Sequence, residues 1–217
     1  MIRAMDATHI YDLLTKGGPL VWPIIGCSIL GLAIFFERFY FISRLRSMDR
    51  YVLKILEGGQ LPTPDVMERQ GSPQRNGPFA NMFLDALKMD PRDRKGLETI
   101  FDYHIDATIS MASRGLDMLA TLAAISPLLG LLGTVTGLIK AFMVIEKAGG
   151  QVNAHSLAGG IWEAMLTTAV GLSVAIPLMV CHKILTARIS GLEDDLQHTA
   201  FTYMMALGHD QTEEANP

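Results

Sequence analysis

Three long stretches of the chain carry hardly any charged side chain. Residues 17–36, 117–140 and 163–182 are apolar apart from charges at or near their ends. Each stretch is roughly 20 residues long, which is enough for an α-helix to cross the hydrocarbon core of a bilayer. Buried helices of soluble proteins seldom hold charge-free runs of this length, and we therefore predict three membrane-spanning helices.

The composition agrees with a membrane protein. Only 18% of the 217 residues are charged, against about a quarter in a soluble domain. The N-terminal 16 residues lack the basic region of a signal peptide, and no small-x-small cleavage site follows the first apolar run, so the first span is expected to remain in the mature protein. A net charge of −4 without any Lys/Arg cluster argues against a nucleic-acid partner. Cys27 and Cys181 fall in spans and are expected to act as small apolar residues.

Basic residues near the span ends predict the orientation. They cluster after the first span, before the second and after the third, whereas the opposite side has only Arg3, Lys16 and Lys147. Because cytoplasmic segments next to spans are rich in Lys and Arg, the N-terminus is predicted outside and the C-terminus inside. The predicted segments are an outer N-terminus (1–16), a first span (17–42), an inner helical segment (43–115), a second span (116–146), a short outer hairpin (147–156), a third span (157–185) and an inner C-terminal helix with an acidic tail (186–217).

Apolar stripes predict helices outside the spans as well. After a break near residues 57–64, residues 78–88 are predicted to form a short helix. Asp90 is predicted to cap a further helix that begins at Pro91 and runs unbroken into the second span. We expect two apolar stripes to pack against each other. One is Ile100, His104, Ala107, Met111 and Arg114, and the other is Ile184, Ile189, Leu192, Leu196, Tyr203 and Leu207.

Catalytic motifs are missing from the sequence. It has no P-loop, no G-x-S-x-G, no H-E-x-x-H and no C-x-x-C pair, and its six histidines are scattered. We therefore predict no enzyme activity, no cofactor and no metal site.

Small and polar residues line one side of the second and third spans. In lipid, such stripes let two helices approach closely, and by itself the pattern predicts helix packing. The residues lie three or four apart and are Ser126, Gly130, Gly133, Thr134 and Gly137 in the second span and Gly160, Ala164, Thr168, Gly171 and Ala175 in the third.

Glu163 is less easily explained by packing. An ionised carboxylate within a span is costly unless it is paired, hydrated or near an interface. Two interpretations are structural, namely an ion pair with Lys140 and a shallow position near His155. The third is a polar track, continued by Thr167 and Thr168, that leads ions into the membrane.

Two stretches in these spans resemble the ExbB/TolQ/MotA proton-channel family. Residues 126–137, SPLLGLLGTVTG, resemble its second-span motif S-P-x-x-G-L-x-G-T-V-x-G. Residues 161–177, IWEAMLTTAVGLSVAIP, resemble its third-span motif I-x-E-A-x-x-x-T-A-x-G-x-x-x-A-I-P. The likeness is close over residues 116–190 and is otherwise limited to the layout of three spans.

The resemblance implies an all-α integral membrane protein with three transmembrane helices and long cytoplasmic helical extensions. Five copies would form a helical ring in the bacterial inner membrane, with the N-terminus in the periplasm and the C-terminus in the cytoplasm. The ring would enclose a dimer of ExbD- or TolR-like single-span subunits, and an aspartate of that partner would carry the proton. A TonB- or TolA-like accessory would deliver the work to the outer membrane.

The resemblance also implies roles for individual residues. The family's pore threonines and pore glutamate correspond to Thr134, Thr168 and Glu163, and its helix-distorting prolines correspond to Pro127 and Pro177. Thr167 joins the predicted proton pathway as part of the polar track. The remaining predicted packing residues of the pore hairpin are Gly130, Gly133, Gly137 and Gly171.

Two positions depart from the family pattern. Thr136 replaces a Trp, and Lys140 replaces an Asn or His, of the members that serve siderophore uptake and the Tol system. Lys140 is therefore a candidate modulator of Glu163.

The expected function is a motor subunit driven by the proton-motive force, which energises outer-membrane transport. The alternatives are a TolQ-type subunit for outer-membrane integrity and a non-conducting membrane scaffold, whereas a flagellar-type stator should have a fourth span.

Overall fold

Every regular element in the described part of the chain is an α-helix. The computed structural model describes residues 17–57, 78–90, 93–147 and 154–214. Within these ranges the elements are α1 (Val21–Glu57), α2 (Pro78–Ala86), α3 (Arg94–Ser113), α4 (Leu116–Lys147) and α5 (Ala154–Glu214). The predicted all-α class is confirmed for these residues. The predicted outer N-terminus, most of the outer hairpin and the irregular stretch after residue 57 lie outside them.

Three helical stretches are long and apolar enough to cross a membrane, as predicted. They are Val21–Ser47, Arg94–Lys147 and Ala158–Leu207. Large apolar side chains on these stretches are exposed, including Trp22, Leu128 and Met165. Exposed apolar surface of this extent marks a protein that meets lipid or other subunits rather than water alone.

The first of two compact units contains the apolar parts of the long helices. It comprises Met1–Phe36 and Gly115–Ile184. Val21 and Ile24 of α1, Leu119 of α4 and Leu178 of α5 are fully buried in it, and most of its other buried positions are small residues of α4 and α5. Small side chains let helices approach closely without a hydrophobic driving force from water.

The second unit has a core of aromatic rings. It comprises Glu37–Arg114 and Leu185–Pro217. Phe83 of α2, Phe101 of α3 and Tyr203 of α5 pack edge to face, with ring centroids 5.4 to 6.0 Å apart. Such pairs contribute stability beyond the area they bury.

Polar contacts join the helices of the second unit. Arg46 of α1 pairs with Asp195 of α5 at 2.9 Å. Asp85 of α2 accepts a hydrogen bond from His104 of α3 at 3.1 Å, and a local one from Lys88, just after α2, at 2.8 Å. These two bonds, Lys88 first, lower the pKa of Asp85 below its ordinary value of 3.8 because they favour the charged carboxylate.

The start of α3 differs from the prediction. Asp93, not Asp90, is the N-cap, and its Oδ1 accepts a hydrogen bond from the Gly96 backbone N–H at 3.0 Å. Asx-type N-caps gain stability from this bond to an otherwise unpaired N–H. Both aspartates precede the helical pattern, and the sequence alone did not decide which of them caps the helix.

The predicted unbroken helix into the second span is wrong. α3 ends at Ser113 and α4 begins at Leu116, because Arg114 leaves the helical backbone and Gly115 adopts a left-handed one at φ +82°. Glycine takes this conformation without steric cost and commonly ends helices. The apolar pattern continues across the break and therefore concealed it.

The buried face of α3 lies next to the predicted one. Its buried residues are Leu97, Phe101, Ile105, Thr108 and Ala112, so the predicted stripe through Ile100 and His104 is wrong by about one position. The stripe after the third span is confirmed in large part. Ile189, Leu192, Leu196 and Tyr203 are buried, whereas Ile184 is exposed and Leu207 is half-buried.

Candidate functional site

The two family-like motifs pack against each other through their small residues. A Cβ added to Gly137 of α4 would lie 2.7 Å from the Ala164 Cβ of α5. A Cβ added to Gly171 of α5 would lie 2.7 Å from the Ser126 carbonyl oxygen of α4. Real Cβ atoms do not approach so closely, so the helix contact requires glycine at both positions.

Two further predicted packing residues, Gly130 and Gly133, share this contact. A side chain on Gly130 would meet the Thr168 backbone, with a Cβ–Cα distance of 3.0 Å, and one on Gly133 would overlap the Thr167 side chain.

Pro127 lies inside α4 and Pro177 inside α5, and neither ends its helix. Proline has no N–H to donate, so each leaves the carbonyl one turn earlier without its usual helical bond.

Thr168 connects the two motif helices directly. Its Oγ1 donates a hydrogen bond to the Gly130 carbonyl at 2.7 Å. A hydroxyl oxygen that donates still has acceptor lone pairs, so this bond does not exhaust its polar capacity. Thr134, the other predicted pore threonine, donates within its own helix to the Leu131 carbonyl at 2.6 Å and is half-buried.

Thr167 lies inside the first unit and not on its surface. Its side chain is buried, and Oγ1 lies 2.8 Å from the carbonyl oxygens of Glu163 and Gly17. A hydroxyl has one hydrogen, which these two carbonyls share. Thr167 thereby ties α5 to the residues just before α1. Its predicted place in a proton pathway stays a prediction.

Glu163 and Lys140 form an ion pair. Lys140 Nζ lies 2.7 Å from Glu163 Oε1, and the two side chains are 53% and 27% exposed. Of the three interpretations of Glu163, the ion pair with Lys140 is therefore the one whose geometry the structure contains. A pair of this kind removes much of the cost of a carboxylate within a span, and it does not by itself exclude a role in ion movement.

The residues Gly17 and Gly18 at this site were missed by the sequence reasoning. Gly18 has a left-handed backbone at φ +76°, and a side chain on it would overlap the Glu163 carboxylate. The signal was present as Gly17-Gly18-Pro19 at the start of the first apolar stretch, a composition typical of a tight turn.

The structure thus gathers the predicted residues into two groups. One group lies around the Glu163 carboxylate, where Glu163, Lys140 and Thr167 meet the Gly17–Gly18 turn. The other is the helix contact of Thr168 with Gly130. Thr134 donates its hydrogen bond within α4 and joins neither group. Within the described ranges, no cluster of three or more His, Cys, Asp or Glu side chains could hold a metal ion, and both cysteines are free thiols.

Comparison with known proteins gives a consistent answer. The model of the MotA/TolQ/ExbB proton channel family matches residues 74–198, which is more than half of the chain. A putative ExbB-like biopolymer transport protein of Synechocystis is 31% identical over 92% of this chain and 76% of its own length. The biopolymer transport protein ExbB of Salmonella typhimurium is 27% identical over 86% of this chain and 80% of its own length. The Tol-Pal system protein TolQ of Haemophilus influenzae is 36% identical over 46% of this chain and 44% of its own length.

Proposed function

Since the chain belongs to the MotA/TolQ/ExbB proton channel family, we propose that it is the multi-span subunit of a proton-driven motor in the bacterial inner membrane. In this proposal five copies surround the single spans of ExbD/TolR-like subunits. Proton flow past an aspartate of that partner drives a TonB-like accessory, which energises transport at the outer membrane. The N-terminus lies in the periplasm and the C-terminus in the cytoplasm.

The distribution of acidic residues in the two motif helices carries the proposal. No Asp or Glu lies between Asp117 and Glu146, or between Glu163 and Glu193. The chain therefore offers no carboxylate of its own at mid-membrane, and the proton carrier must come from another subunit. Threonine hydroxyls at 134 and 168 would solvate that carboxyl. Each can accept a hydrogen bond from the protonated form through its lone pairs, and each would donate to the ionised form by releasing its present bond to a backbone carbonyl.

Energy considerations agree with this division of labour. Moving one elementary charge through 100 mV is worth roughly 2.3 kcal/mol, so a few protons per step suffice for mechanical work. The chain supplies a close-packed helix pair with hydroxyl groups, and the partner supplies the titrating group.

An ExbB-type role is proposed ahead of a TolQ-type role. The ExbB relative of Salmonella matches over 86% of this chain, whereas the TolQ relative of Haemophilus matches over 46%. Complementation separates the two roles. The chain and its partner should restore TonB-dependent uptake in a strain that lacks ExbB and ExbD, and should not restore outer-membrane integrity in a strain that lacks TolQ and TolR. The reverse pattern would assign it to the Tol system.

Proton flux through the assembled complex tests the proposal itself. The chain would be co-expressed with a single-span subunit that has one aspartate in its span, then reconstituted in liposomes that contain a pH-sensitive dye. We expect an imposed pH gradient and membrane potential to drive proton uptake with the pair, and not with the chain alone. The partner's Asp→Asn variant should abolish the flux. Equal flux with and without that aspartate would contradict the motor, and no flux from a correctly assembled pair would favour a non-conducting scaffold.

A further inference from the structure

The residues before α1 lie directly against the Glu163 side chain. A Cβ built on Gly18 would overlap the carboxylate oxygen Oε1 and lie 3.1 Å from Cδ. The neighbouring Gly17 carbonyl accepts a hydrogen bond from Thr167 Oγ1 at 2.8 Å, one helical turn from Glu163. The Gly17–Gly18 turn is thus fastened to α5 at the level of the carboxylate.

Lys140 of α4 holds the same carboxylate. Its Nζ lies 2.7 Å from Oε1, the oxygen that Gly18 also approaches. Three segments, namely the turn before α1, the outer part of α4 and the outer part of α5, therefore meet at one side chain. A carboxylate that is paired and closely packed is held in one position, whereas an unpaired one in a span would move toward water.

We propose that Lys140 and the Gly17–Gly18 turn are positioning residues for Glu163. They fix the position of its carboxylate at the end of the third span, beside the proton path. The inference rests on the proposed function, in which Glu163 is the pore glutamate that the family resemblance implies. Glycine is needed at position 18 for two separate reasons, since its backbone is left-handed and its Cβ would occupy the place of the carboxylate.

The chain offers matched controls that separate these two reasons. Gly115 has nearly the same backbone conformation, φ +82°, but a Cβ there would lie 3.4 Å from Ile34 Cγ2, an ordinary contact. Gly115→Ala therefore carries the backbone strain of Gly18→Ala without its overlap. Gly26→Ala carries neither, because no atom lies within 4 Å of a Cβ at that position. Lys140→Met removes the charge and keeps an unbranched side chain of similar length, and Lys140→Arg keeps the charge on a longer side chain.

Two measurements test the proposal. The first is the infrared carboxylate band of Glu163 in the purified chain in bilayers, identified as the band that Glu163→Gln removes. The second is proton flux in liposomes with the single-span partner. We expect Gly18→Ala and Lys140→Met to shift the band and to lower the flux by about 10- to 100-fold, the cost of a small misplacement at a reacting site. Gly115→Ala and Gly26→Ala should change neither measurement appreciably, and Lys140→Arg should keep most of the flux that Lys140→Met loses.

The outcomes separate this inference from the proposed function. The band is measured on the chain alone. If the variants shift the band but the wild-type pair conducts no protons, the motor is contradicted and the positioning contacts remain established. Equal effects of Gly18→Ala and Gly115→Ala on the band would overturn the role of the turn. Additive losses of flux in the Gly18→Ala/Lys140→Met variant would also overturn it, because residues that act through one carboxylate are not additive. If Gly18→Ala fails to insert, the comparison of proton flux in Lys140→Met and Lys140→Arg decides. Equal flux in those two variants would refute the proposal.

Discussion

Thr167 and Thr168 are neighbours in sequence, yet their hydroxyl groups serve different parts of the molecule. Thr167 is buried and bonds toward the turn before α1, whereas Thr168 bonds to the Gly130 carbonyl of α4. Successive residues of a helix point about 100° apart, so a pair of adjacent threonines cannot line a single face. The sequence placed both in one polar track, and only the helix contacts distinguish them.

Replacing Thr168 by Val tests the functional role of its hydroxyl. Val is nearly isosteric, so the packing against Gly130 should survive. The loss of one hydrogen bond between helices should cost about 1 kcal/mol, within the range measured in membrane proteins. We expect Thr168→Val to insert and assemble but to lose most of the proton flux in liposomes with the partner subunit.

Two further variants make this test specific. Thr168→Ser keeps the hydroxyl and should keep most of the flux. Thr121→Val removes a hydroxyl that bonds only within its own helix, to the Asp117 carbonyl at 2.7 Å, and should have no effect on flux. Wild-type flux in Thr168→Val would mean that this threonine only packs.

At the scale of the helices, the sequence predicted what is periodic and missed what depends on a single backbone position. Gly130, Gly133 and Gly137 recur at helical spacing, and all three are buried against α5. Gly115 interrupts an otherwise continuous apolar pattern, and nothing local distinguishes a glycine within a helix from one that ends it.

Contacts between residues that are distant in sequence could also not be concluded from the sequence. Lys140 and Glu163 are 23 residues apart on different helices, and their pairing depends on how the helices are aligned along their axes. The sequence could offer the ion pair only as one of three interpretations. The approach of Gly18 to Glu163 spans a still longer separation, and no periodicity reports it.

Gly137→Ala tests the close contact of α4 with α5. In a helix interior, alanine is ordinarily favoured over glycine by about 1 kcal/mol. Here the added methyl would lie 2.7 Å from the Ala164 Cβ, and overpacking typically costs about 1–3 kcal/mol. We therefore expect a lower melting temperature of the purified protein in detergent.

The same methyl group is harmless where space is open. Gly159→Ala on α5 meets no atom within 4 Å and should leave the melting temperature unchanged or raise it slightly. Combining Gly137→Ala with Ala164→Gly moves the methyl group from one helix to the other and should recover much of the loss. A Gly137→Ala protein as stable as Gly159→Ala would show that the helices do not meet at this position.

At the scale of the whole molecule, the exposed apolar surface extends beyond the predicted spans. Tyr103 on α3 is 70% exposed and Phe201 on α5 is 58% exposed, and both belong to the second unit. Lipid cannot cover these rings if that unit lies in water, and large exposed apolar side chains commonly mark subunit interfaces. A further copy of this chain is the partner that the proposed five-membered ring would supply.

Native mass spectrometry of the complex with its single-span partner tests the proposed assembly. We expect five copies of this chain, and we expect Phe201→Glu to weaken the ring because it places a charge at a surface that other copies would bury. Thr99→Glu is the matched control, since it adds the same charge at an exposed position of the same unit whose hydroxyl bonds only within its own helix, to the Lys95 carbonyl. It should leave the pentamer intact. A monomer or dimer as the largest species of the wild-type chain would contradict the ring, and with it the motor, because fewer helices could not enclose a partner span. A pentamer that tolerates Phe201→Glu as well as Thr99→Glu would keep the motor and exclude this face of α5 from the subunit interface.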